Sequence, residues 1–140
     1  MGHMTMTATA TSLGGLAYEV DVNGRHTIVT DEPERLGGGD LGPAPHELLA
    51  ATLASCVATT VAMYANARSW EIGETSVRVE YDPDCEPRRF TVRLDVGCRL
   101  SAHQRLRLER VAASCPVRRA LEAGFEFDEQ TLAPAASRAA

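Results

Sequence analysis

The sequence predicts a single α+β domain built on antiparallel sheet, and three observations carry that prediction. Two stretches read as β-hairpins, one before and one after a long apolar helix. A pair of shorter helices follows the second hairpin. Strands and helices therefore come in blocks and do not alternate one by one, which favours antiparallel pairing over a doubly wound parallel sheet. The 140 residues suit one domain spanning 1–140, with no internal repeat.

The first four residues, Met1-Gly2-His3-Met4, read as a cloning remnant, so the natural start is expected at Met4 or Met6 and residues 1–14 are expected to be disordered. Leu16 to Val22 alternates loosely, Asn23-Gly24 follows, and Arg25 to Thr30 continues in an extended pattern. An Asn-Gly pair between two such runs signals a tight hairpin, because both turn positions need positive φ. Asp31 to Pro45 holds Pro33, Gly37, Gly38, Gly39, Gly42, Pro43 and Pro45, and reads as a loop. Its glycines lack the spacing of either nucleotide-binding fingerprint, and no lysine stands near them.

From Pro45 to about Arg68 the pattern is helical, with Pro45 suited to the first turn. Leu49, Leu53, Cys56, Thr60 and Tyr64 share one face, while Leu48, Val57 and Val61 widen it, so burial on more than one side is expected. Ser76 to Tyr81 and Phe90 to Leu100 alternate and form the second hairpin, with Cys98 on its inward face. Ser101 suits the N-cap of a helix from Ala102 to about Ala113. Pro116 cannot sit inside that helix, so a second one is expected with Ser114 as N-cap, Cys115 as first helical residue and Gly124 as the terminator. Phe125-Glu126-Phe127 reads as a last short strand, and the Ala-rich tail 133–140 as frayed.

Composition narrows the function classes. A net charge of −5 gives no electrostatic ground for binding nucleic acid or an anionic membrane. Every basic residue is arginine, so Schiff-base chemistry through lysine is excluded. The longest mostly uncharged stretch, Leu48 to Ala67, carries Thr52, Ser55, Thr59, Thr60 and Asn66, and reads as a core helix and not a membrane span. No secretory leader is visible, which makes the reducing cytoplasm the expected compartment, where cysteines are more often reduced, catalytic or metal-bound than structural disulfides.

The four cysteines are 56, 85, 98 and 115, and the four histidines 3, 26, 46 and 103. None forms a C-x-x-C or paired-histidine spacing, so a metal site is not expected. Cys98 reads as a small core residue and Cys85 as an exposed turn residue. Cys115 stands at a helix start, where unpaired N–H groups favour a thiolate, with Arg118 and Arg119 one turn on; an inward-packed, inert residue fits that position equally well. Cys56 lies mid-helix on the apolar face, where most cysteines are inert and burial raises the pKa.

Two motifs add to this reading. The run Gly42-Pro43-Ala44-Pro45-His46-Glu47-Leu48-Leu49-Ala50-Ala51-Thr52-Leu53-Ala54-Ser55-Cys56 resembles the signature of the osmotically inducible protein C / organic hydroperoxide resistance (OsmC/Ohr) family, in its OsmC-like branch. Ser114-Cys115-Pro116-Val117-Arg118-Arg119-Ala120-Leu121 resembles that family's second cysteine motif, and the likeness spans roughly residues 15 to 130.

The resemblance implies the OsmC-like fold, an intertwined homodimer with each active site at the subunit interface. It implies reduction of organic hydroperoxides, with Cys56 becoming a sulfenic acid and Cys115 condensing with it to a disulfide. An external dithiol would restore the pair, without metal, haem or flavin. In the family's peroxidases a glutamate stands ten residues before the first cysteine and, with an arginine from the N-terminal region, holds the thiolate. Here that position is His46, and the carboxylate is Glu47, turned by about 100° around the helix. Arg25 and Arg35 are the candidate arginines. The apolar stretch flanking Cys56, with no cluster of basic residues around it, points to an alkyl or fatty-acid hydroperoxide. The displaced carboxylate motivates a second reading from another class: a non-peroxidase relative that holds a small apolar ligand, or does other thiol chemistry, in the same cleft.

Overall fold

The computed structural model describes residues 4–132 and residue 134. Met1–His3, expected as part of a cloning remnant, and most of the tail expected to be frayed lie outside the described residues. Strands β1 (Ala8–Gly14), β2 (Ala17–Val22) and β3 (His26–Thr30) form an antiparallel sheet in that order. Helix α1 (Pro45–Ala67) follows, then an antiparallel pair, β4 (Thr75–Asp82) and β5 (Arg89–Val96), then α2 (Ala102–Ala113) and α3 (Pro116–Ala123). The predicted α+β class and the block order of elements are observed.

The first hairpin forms through the predicted chemistry. Asn23 and Gly24 take φ of 56° and 66°, the left-handed pair that a tight two-residue turn demands. Asn23 also fastens the chain upstream, since its Oδ1 accepts the Thr7 N–H at 2.8 Å while its own N–H donates to the Thr7 carbonyl at 2.9 Å. Residues 8–14, expected to be disordered, are thereby drawn alongside β2 as a third strand. Alternating Ala and Thr give no hydrophobic period to read, yet threonine fits a pleated surface and β2 offers an open edge.

Helix α1 buries the stripe Leu53, Val57, Val61 and Ala65. That stripe meets Ile72, Leu108 and Cys115 in the core, with the inner side chains of the second hairpin, Val77, Val79, Phe90, Leu94 and Val96, packed against it. Burial on a second side of α1 is not found; Met63 is largely exposed. By length and composition alone α1 is apolar enough to cross a membrane, but it packs on β4, β5, α2 and α3 as a core helix does. Tyr64 ties it to α2: its hydroxyl accepts from Arg107 Nε at 2.6 Å, and the Arg68 guanidinium lies 3.6 Å from the ring centroid. The N-terminal sheet packs extensively on neither the helices nor the second hairpin and keeps most of its side chains exposed.

Two further expectations are corrected. Strand β5 ends at Val96, not Leu100, because Gly97 lies against the backbone of Gly73 and Glu74, so close that a Cβ there would meet the Glu74 amide nitrogen at 2.8 Å. The chain turns out of the sheet and leaves Cys98 exposed, not in the core. Residues 125–127 form no strand; among the described residues no strand edge pairs with them, and Phe125 and Phe127 are 61% and 79% exposed.

Candidate functional site

Helix α1 sets Cys56 between the buried Leu53 and Val57, on the side of the helix that faces α3. The Cys56 carbonyl accepts a second hydrogen bond from Thr60 Oγ1 at 2.8 Å. Cys115 arrives from the far end of the chain. Helix α2 ends at Ala113, and Ser114, its C-cap, donates its N–H to the Val111 carbonyl at 3.0 Å. Cys115 is then the N-cap of α3, not its first helical residue, and Pro116 takes the first helical position. Proline prefers that place because its missing N–H would be unpaired there anyway. The expected cap, Ser114, is instead the C-cap of α2, because Pro116 at the first helical position places the N-cap one residue before it.

As N-cap, Cys115 has extended backbone, and its Sγ accepts the Arg118 N–H at 3.4 Å. The side chain is fully buried, with no exposed surface. Cys56 packs against the core cluster that holds Cys115 and is near enough to perturb its titration, so the two thiols are neighbours although they lie far apart in sequence. Burial pushes the Cys115 thiol above its ordinary pKa, and the neighbouring Cys56 sulfur pushes it further. The N–H groups of Arg118 and Val117 at the start of α3 work the other way without prevailing. Cys115 is therefore held protonated at neutral pH, the form able to donate a hydrogen bond to the sulfur of Cys56.

The other four candidates stand apart from the pair within one chain. His46 is exposed and sets its ring edge-on against Tyr81, centroids 5.8 Å apart, and Tyr81 in turn stacks on Phe90 at 4.7 Å. Glu47 is exposed in the first turn of α1. Arg25 follows the β2–β3 turn, and Arg35 lies in a short 3-10 turn, Glu34–Leu36; both are exposed. Among the described residues no hydrogen bond or ion pair joins any of the four to Cys56 or Cys115.

Asp31 was not singled out from the sequence, yet it shapes the approach to α1. It is 3% exposed. Burial would raise its pKa, but N–H groups of Leu41, Glu32 and Gly39 donate to its carboxylate and hold it below the ordinary value. One carboxylate thus folds the glycine-rich loop back on itself and delivers the chain to Pro45.

Two cavities flank the cysteines. One, of about 510 Å³, lies between α1, β5 and α2, against Val57, Leu94, Leu108 and Ala112. The other, of about 520 Å³, lies between α1, β5 and α3 and is lined by Leu53, Phe90, Leu121 and Glu122 together with Arg88 and Arg89. Val92 and Arg118 line both, so the two adjoin. No cluster of basic residues was expected around Cys56; the second cavity, which Leu53 lines from α1, carries Arg88 and Arg89 from the β4–β5 connection.

A protein-family model described as OsmC-like protein matches residues 37–130. No curated protein matches the chain. Among solved structures, a Psychrobacter arcticus protein described as an osmotic-stress-induced and detoxification response protein is 26% identical, with TM-score 0.71, 85% of this chain covered and 89% of that one. An organic hydroperoxide resistance protein from Legionella pneumophila is 22% identical, with TM-score 0.65 and 86% and 91% covered. A Vibrio cholerae protein described as an organic hydroperoxide resistance protein, with captopril in one of its active sites, is 22% identical, with TM-score 0.61 and 86% and 87% covered.

Proposed function

The chain belongs to the OsmC-like protein family, and from that premise we propose that it is a thiol-dependent peroxidase reducing organic hydroperoxides through Cys56 and Cys115. The observation that carries this reading is the proximity of a helix-borne cysteine to a buried, protonated one, beside cavities of mixed apolar and charged lining. The Cys56 thiolate attacks the terminal oxygen of the hydroperoxide and the O–O bond breaks. The alkoxide leaves with a proton as the alcohol, and Cys56 becomes a sulfenic acid. The Cys115 sulfur then displaces the sulfenic oxygen, which departs as water, and a disulfide joins the two residues. An external dithiol reduces that bond by exchange in a reducing compartment such as the cytoplasm, with no metal or organic cofactor in the cycle.

The working unit in this proposal is a homodimer. The exposed N-terminal sheet and the uncovered side of α1 are surfaces that a second copy would bury. Such packing would bring Arg25 or Arg35 over Cys56 of the other subunit, and the same closure would exclude water from the cysteines.

The exposed Glu47, and His46 engaged with Tyr81, favour a second reading: a relative that holds a small apolar ligand without turning over peroxide. Peroxide consumption separates the two. Reduced protein, mixed with cumene hydroperoxide and dithiothreitol, is expected to consume peroxide catalytically, and Cys56→Ser is expected to lower the rate by about a thousandfold or more. Absence of turnover with every dithiol tried selects the second reading. Glu47→Gln and His46→Ala, assayed separately, show which of the two assists.

A further inference from the structure

The two cysteines differ in access. Cys115 has no exposed surface and lies within the core cluster of Leu53, Val57, Val61 and Leu108. Cys56 is half-buried at the edge of the uncovered side of α1, and Thr52 and Thr59, about one turn away in either direction, are exposed. A second copy packed on α1 would narrow the approach to Cys56 but could not uncover Cys115, which the single chain already encloses. The two sulfurs also differ in what receives them. As N-cap of α3, Cys115 Sγ accepts the Arg118 N–H at 3.4 Å, with the Val117 N–H beside it. These belong to the amide groups that a helix leaves unpaired in its first turn, and they favour negative charge. No such group stands at Cys56, midway along α1, where backbone N–H groups are already bonded within the helix.

We propose that the external dithiol opens the disulfide by attacking the Cys56 sulfur, and that Cys115 is the leaving group, received by the Arg118 and Val117 N–H groups at the start of α3. The proposal rests on the disulfide cycle read above and names the sulfur at which that cycle closes. Thiol–disulfide exchange sets the entering, attacked and leaving sulfurs in line. Attack on Cys115 would have to come through packed core side chains, whereas attack on Cys56 comes from the open side of α1. One thiolate of the reductant bonds to Cys56 Sγ, the Cys56–Cys115 bond breaks, and its electron pair leaves with Cys115. The reductant's second thiol gives Cys115 its proton and, as a thiolate, attacks the reductant sulfur held on Cys56. The reductant departs as a cyclic disulfide, and Cys56 is left as the thiolate that the next hydroperoxide needs. By acidity alone a buried thiol is a reluctant leaving group. Enclosure outweighs this, and once the proton is delivered, burial favours the neutral Cys115 and draws the exchange forward.

The test uses the full-length protein, oxidised with diamide and then treated briefly with 2-mercaptoethanol, a monothiol that halts at the mixed disulfide. The mixture is quenched in acid and mapped by peptide mass spectrometry. The 2-mercaptoethanol adduct is expected on Cys56, with Cys115 recovered as a free thiol, in at least about tenfold excess over the reverse pattern. An adduct mainly on Cys115, or an even split between the two, overturns the proposal. Absence of any Cys56–Cys115 disulfide after diamide overturns it together with the cycle on which it rests. A Cys56 adduct in a protein that consumes no peroxide sustains this inference and removes the peroxidase reading alone.

Discussion

At Cys115 the start of a helix and the interior of the core pull the same sulfur in opposite directions. Its raised pKa has a consequence for stability. Above the ordinary thiol pKa of about 8.5, an unfolded chain releases this proton while the folded chain retains it. The contribution is therefore fully present below that pH and is lost as the pH rises through the folded value. Reduced wild-type protein is expected to lose stability between about pH 8 and pH 10 more steeply than Cys115→Ser, as read by urea unfolding at each pH. A parallel pair of curves would refute the assignment. The chain has no lysine, which removes one common source of background in that window. Both cysteines and their pairing were legible through the family resemblance of the motifs around them, but not through periodicity, since their proximity depends on where α2 releases the chain. Nor were the arginines of the second cavity legible: Arg88 and Arg89 read as ordinary turn charges until β5 is laid beside α1 and α3.

Helices announce themselves better than strands in this chain. Pro45 at the first position of α1 and the reciprocal Ser101–Gln104 capping box of α2 both form as their residue types suggest. The elements that escaped prediction are those whose pairing is decided elsewhere. Strand β1 exists because β2 has a free edge, and residues 125–127 stay unpaired because no strand edge among the described residues meets them. The proximity of the cysteines in turn depends on α2 being seated against α1. Leu108, 1% exposed and facing Val57 and Val61 within the core cluster, is the main apolar anchor of that seat. Leu108→Ala is expected to destabilise the fold by about 2–5 kcal/mol in urea unfolding, since it removes the buried apolar side chain of α2 from the core. It should also slow disulfide formation, by loosening the element that leads to Cys115. A cost below about 1 kcal/mol would show that α2 is held by other contacts.

On the scale of the whole molecule, the chain leaves more apolar surface uncovered than a self-sufficient domain of its length would. Leu13, Leu16, Ile28, Met63, Phe125 and Phe127 are all exposed, and α1 buries a single stripe. Sedimentation at micromolar concentration is expected to show a species of twice the chain mass, and a well-folded monomer there would contradict the dimer. The fold class was legible because it follows from the order of blocks along the chain. The expectation that two copies share a site came from the family resemblance alone, because single-chain periodicity does not say what covers an exposed face. The central claim, that Cys56 and Cys115 are working partners, meets its most direct test in peptide mass spectrometry of reduced protein treated with one equivalent of hydroperoxide. The account predicts one dominant disulfide-linked peptide pair containing Cys56 and Cys115, absent from Cys115→Ser, in which Cys56 accumulates as sulfenic acid. Recovery of both cysteines as free thiols, or a disulfide through Cys85 or Cys98 instead, would contradict it.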